Sequence, residues 1–166
     1  MRAKIIAIAV LTLVAQRALG TPGLPQWPTE IILPTVLIVA AALRRREWHW
    51  PHEALLLGLG WDLLLEPVVG PGGIAWSASA LCLYGLASVV ADRSAKAWAG
   101  FGAVGALVIT LVHEAALLPL GLGTSMTVPH IVRTTLLSGV WCGLVKILLA
   151  LDIPGRWLAY RARKLR

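Results

Sequence analysis

Apolar residues run along the chain in six blocks, each of helical length and each closed by glycine, proline or charge. The blocks fall at about 4–19, 30–43, 52–69, 74–91, 98–118 and 129–151. The first gives way to a Gly20-Thr21-Pro22-Gly23 link, with Trp27 placed where an interfacial anchor belongs. The second is short for a crossing, carries Pro34 in its first turn, where a proline costs little, and stops at Arg44, Arg45 and Arg46. The third begins after Pro51 and ends before Gly70-Pro71-Gly72-Gly73, and the fourth ends at Asp92, Arg93 and Lys96. Pro119 and Gly121 close the fifth, and Asp152 and Pro154 close the sixth. A tail at 155–166 follows, reading RWLAYRARKLR after its glycine.

Spanning a bilayer as a helix takes about 20 residues. Six such spans use nearly all of the 166 residues and leave no room for a soluble domain. Composition agrees: 58% of residues are hydrophobic and 14% charged, against roughly 45–50% apolar and 25% charged in soluble domains. The mean hydropathy is +0.78. The expected fold is therefore an all-α integral membrane protein, a single polytopic domain over 1–166. Its beginning imitates a signal peptide, with Arg2 and Lys4 before an apolar run. Gln16 and Arg17 before Ala18 make a poor cleavage site, so this segment is expected to stay as the first span.

The formal charge of +7 changes the picture through its placement. Arg2, Lys4, Arg44, Arg45, Arg46, Arg93, Lys96 and the basic tail all fall on one side if the spans alternate. Only Arg17 and Arg133, each at a span end, fall on the other. The positive-inside rule then puts both termini in the cytoplasm. The short blocks of Lys and Arg between apolar segments share no face with exposed aromatics, so nucleic acid is not an expected partner. Cys82 and Cys142 lie inside apolar stretches without a CxxC or a histidine at ligand spacing, and suggest neither a disulfide nor a zinc site. No cofactor is expected.

Ionisable residues inside a span cost about 2.5–3.5 kcal/mol each on insertion scales unless paired or hydrated. Arg17, Asp62, Glu66, His113, Glu114 and Arg133 stand out, and the alternating topology gathers them in the outer half of the bundle. Asp62 and Glu66 are four apart and share a helix face. Two arginines balancing two or three carboxylates would make a structural ion network, with Arg133 or Arg17 as the partner of Asp62. The same set would also suit a small-solute or proton site. Neither HExxH, GxSxG nor a paired GxGD occurs, and the adjacent His113 and Glu114 are expected to point apart, so catalysis is not expected. Small residues at helical spacing, Gly102 with Ala106 and Gly139 with Gly143, are expected to pack helices together.

From Pro34 onward the chain resembles the MreD family. The stretch PTVLIVAAAL, a basic turn, and EALLLGLGWDLLLEPVVGPGGIAWSASALCLYGLAS carry the likeness. The matching positions are Pro34, Gly58, Asp62, Leu63, Gly70, Gly73 and Tyr84, although Thr35 stands where that family often has Asn. The resemblance implies a non-enzymatic, six-span scaffold of the bacterial inner membrane. It implies direct binding to MreC, and indirect association with MreB filaments, a RodA-type glycan polymerase and its transpeptidase. The family is similar in plan to the substrate-binding S components of energy-coupling-factor vitamin transporters, which supplies the rival expectation. Short Pro/Gly-rich outer loops with few aromatic or hydrogen-bonding residues speak against a vitamin binder.

Overall fold

The computed structural model describes residues 2–20, 27–43, 50–90, 92–122 and 127–151. The Arg44, Arg45 and Arg46 block, most of the Pro/Gly link after Gly20, and the basic tail at 155–166 lie outside them. The described residues are all-helical. The order is α1 (Arg2–Leu19), a 3-10 turn (Trp27–Glu30), α2 (Thr35–Leu43), α3 (Trp50–Leu65), α4 (Pro71–Val89), α5 (Ala95–Leu117) with a second 3-10 turn (Leu118–Leu120), and α6 (Val128–Ala150). Among the described residues, three helical segments are long and apolar enough to cross a membrane: Pro71–Val89, Ala95–Leu120 and Val128–Ala150.

Prolines account for the departures from the expected spans. The residue before a proline is pushed out of the α region. Leu33 precedes Pro34, so α2 starts only at Thr35 and Pro34 lies in the turn before it, not inside its first helical turn. With nine residues, α2 is about 14 Å long at a rise of 1.5 Å per residue, too short to cross the hydrocarbon core alone. Glu66 likewise precedes Pro67, and α3 stops at Leu65 where the apolar pattern ran on to Val69. Pro71 sits at the first helical position of α4, where its missing N–H is harmless. Before α5, the Ser94 hydroxyl accepts from the Ala97 N–H at 3.2 Å, a conventional N-cap. Asp92 in turn accepts from the Ser94 N–H and hydroxyl, both at 2.8 Å. The backbone bond and then the hydroxyl bond hold the Asp92 carboxyl below its ordinary range.

Consecutive long helices run antiparallel, and small residues set how closely they approach. A Cβ at Gly139 would lie 2.8 Å from the Ala99 carbonyl, and one at Gly143 3.2 Å from the Ala99 Cβ. Gly102 faces Cys142 from the other side of that seam, and Ala106, one turn on, is fully buried. The α4–α5 contact adds a bond from the Ser79 hydroxyl to the Gly105 carbonyl at 3.1 Å. The short α2 lies in the middle of the core, with Val39 and Thr35 at 0% exposure alongside Trp76 and Leu83 of α4. Leu13 of α1 packs over Gly60 of α3, while Ile6, Ile8, Leu11 and Val14 face outward. Leu81, Leu136 and Leu148 do the same on α4 and α6. Apolar surface this extensive suits lipid rather than water.

Candidate functional site: an acid-capped elbow and a polar cleft

The ends of α1, α3 and α5, the beginnings of α4 and α6, and the segment before α2 meet at one pole of the bundle. Two arrangements occupy that pole.

The first is the elbow between α3 and α4. Asp62 is fully buried, and its carboxylate accepts from the Gly70 N–H at 2.8 Å and, through both oxygens, from the Gly72 N–H at 3.0 Å. These are orphan amides of the α4 N-terminus, where the helix dipole favours negative charge. Asp62 is thus a cap supplied by the preceding helix, which corrects the expectation of an arginine partner. The arginine contact among the described residues runs to Glu30 instead, from Arg133 at 3.5 Å, with His130 Nδ1 3.8 Å from the same oxygen. A carboxylate needs donors and positive potential, and a helix N-terminus supplies both without a cation. The close approach demands glycine. A Cβ at Gly58 would lie 2.5 Å from the Gly72 carbonyl oxygen, and one at Gly72 would overlap the Asp62 carboxylate. Gly70, at φ +129°, occupies a backbone region closed to L side chains, and Gly73 receives Leu55 and Leu59. Pro34 is fully buried, while Leu63 and Tyr84 are exposed.

The second arrangement is a cleft of about 530 Å³ beside the elbow. The α3 end contributes Trp61 and Glu66, and α4 contributes Trp76. Thr110, His113 and Glu114 come from α5, His130 and Thr134 from α6, and Thr29, Glu30 and Ile32 from the segment before α2. Both His113 and Glu114 line it, although neighbours on a helix diverge by about 100°; a concave wall built from several elements meets both. Asp62 lies outside the cleft, Arg17 is exposed at the end of α1, and Arg133 reaches it only through Glu30. The Trp61 and Trp76 rings stand 5.7 Å apart at 45°. Several polar atoms of the wall are buried without a hydrogen-bond partner: Glu30 Oε2, Glu114 Oε2, Trp76 Nε1 and Thr134 Oγ1. No group of three or more metal-ligating side chains forms among the described residues.

Glu66, His113 and Glu114 were singled out by their cost in lipid. Glu30, His130, Thr134 and the two tryptophans were not. The available signal was the spacing of His130, Arg133 and Thr134, which puts three polar side chains on one face of an otherwise apolar helix. No family model, curated protein or solved structure matches the chain.

Proposed function

We propose that this protein is a non-enzymatic, six-span membrane scaffold of MreD type. In this reading both termini are cytoplasmic, the polar pole faces outward, and MreC is the direct partner in a bacterial cell-elongation complex. The observation that carries the reading is the elbow. Gly58, Asp62, Gly70 and Gly73, four of the seven positions that carry the resemblance, lie there and fix α3 against α4. Their work is positional, which is what a scaffold asks of its most characteristic block. The short α2 enters as a half-crossing completed by the irregular segment before it. Co-purification of MreC with the tagged chain, expressed at native level and extracted in mild detergent, is the test. Recovery from wild-type membranes is expected, and its absence would overturn the scaffold reading. Orientation is tested separately. A cysteine at Val69 should react with an impermeant reagent in intact cells, and one at Arg93 only after the membrane is opened; the reverse result would overturn the topology.

The cleft favours a second reading, that of a solute-binding membrane component. Two tryptophans and several hydrogen-bonding side chains line it, so the objection drawn from short loops does not hold: the enclosing residues come from the helices themselves.

A further inference from the structure

We infer that the cleft takes a small organic cation: a primary amine or amidinium on a compact apolar or aromatic body. The inference rests on the solute-binding reading and is independent of the scaffold reading.

Charge comes first. Glu30, Glu66 and Glu114 all line the cleft. The cation near them, Arg133, lies 65% exposed at the rim and reaches Glu30 alone. Among the described residues, three carboxylates thus meet a single arginine at the cleft. A metal ion does not fit, because the carboxylates and histidines do not cluster at ligating distance.

The unpartnered atoms refine this. Glu30 Oε2 and Glu114 Oε2 are buried acceptors with no donor, so a fitting occupant brings at least two hydrogen-bond donors, and an ammonium or amidinium brings them together with the complementary charge. Thr134 is 5% exposed and its Oγ1, which can accept from the same cation, also lacks a partner. Groups buried so deeply without a bond are rare in a finished protein and call for a bound molecule or ordered water. The half-buried Trp61 ring on the cleft wall offers a face on which a cation or an aromatic body rests, with the fully buried Trp76 ring 5.7 Å behind it. At about 530 Å³ the space lies within the usual range of about 300–1,000 Å³ for small-molecule sites.

The test uses the full chain in lipid nanodiscs, with tryptophan fluorescence and thermal unfolding read against a matched probe set. Benzylamine and benzamidine are the cations, benzyl alcohol the neutral isostere and benzoate the anion. Saturable binding of the cations is expected, with benzyl alcohol and benzoate at least about tenfold weaker. Glu30→Gln and Glu114→Gln should each weaken benzylamine by about tenfold, and Thr134→Val by a few-fold. Cys82→Ser, outside the cleft, should leave it unchanged. Far-UV circular dichroism and monodispersity identify any variant that fails to fold, and Thr134→Val, close in volume, then decides the matter. Equal binding of benzyl alcohol, preference for benzoate, or cation binding indifferent to all three cleft variants would overturn the assignment of ligand class or place. Absence of saturable binding by every probe would overturn the solute-binding reading itself and leave a cleft satisfied by water.

Discussion

Replacing Asp62 by alanine removes the cap that joins α3 to α4. The Gly72 amide is buried and the Gly70 amide partly so. Leaving a buried N–H unsatisfied costs about 1–3 kcal/mol, and a negative charge at a helix N-terminus contributes about 0.3–2 kcal/mol. These contributions overlap, and we expect Asp62→Ala to destabilise by about 2–4 kcal/mol. Asp62→Asn keeps one acceptor for the Gly72 N–H but turns an NH₂ toward the other amide, for a loss of about 1–2 kcal/mol. The assay is equilibrium unfolding in mixed micelles of rising SDS fraction, followed by far-UV circular dichroism. The expected order is wild type, then Asn, then Ala. Arg133 pairs with Glu30 and not with Asp62, so Asp62→Ala and Arg133→Gln should combine additively. An alanine variant within about 0.5 kcal/mol of wild type, below the loss of even one buried bond, would refute the capping argument. Recovery of stability in the double variant would restore the arginine pairing.

The same assay separates glycines by what a methyl group would meet. Gly58→Ala, whose Cβ would lie 2.5 Å from a carbonyl oxygen, should destabilise severely, whereas Gly85→Ala, with open space around it, should be neutral or gain up to about 1 kcal/mol. Gln16→Ala should free the end of α1, since its amide accepts from the Leu33 N–H at 3.0 Å and donates to the Thr29 carbonyl at 3.3 Å. Faster hydrogen exchange in α1 and at Leu33, with α5 and α6 unchanged, is the expected pattern, and uniform exchange across the chain would refute it.

The long helices were legible because their cause is local. Apolar runs in α4, α5 and α6 exceed what a soluble helix tolerates, and the spacing of Gly102, Ala106, Gly139 and Gly143 lies on the α5–α6 seam. Asp62 was legible as a costly residue, yet its partner was not. Counting charges finds arginines, whereas the actual donors are two backbone amides brought round by Gly70 and Pro71. The second span was overextended because an apolar pattern from 30 to 43 outweighed Pro34. Glu30 sits at the edge of that pattern and looks like the first residue of a helix, whereas it closes the 3-10 turn before α2. Nothing in the apolar pattern separates Trp61 and Trp76 from their neighbours, and only the α3–α4 register brings the two rings together beside the cleft.

The short α2 and the cleft have a common origin. A full-length second helix would fill the pole above Thr35; instead the chain crosses it as a 3-10 turn and an irregular stretch. Such backbone is tolerated among apolar helices only where protein groups satisfy it. Here the Ile32 N–H donates to the Ser138 hydroxyl at 3.0 Å, the Leu33 N–H to Gln16 at 3.0 Å, and Trp141 Nε1 to the Leu33 carbonyl at 3.1 Å. The space left beside that stretch is the cleft, with Glu30 and Ile32 on its wall. Its opposite wall is tied to the elbow. Trp61 precedes Asp62 on α3, and Trp76 follows Gly72 by one turn on α4. Asp62 is thus next to one ring in the chain and caps the helix that carries the other, without lining the cleft. Asp62→Ala should therefore weaken benzylamine binding as well as stability, while Gly139→Ala, which strains the α5–α6 seam away from the tryptophans, should lower stability and leave binding closer to wild type. Equal loss of binding in the two variants would mean that the cleft responds to bundle stability at large and not to the elbow.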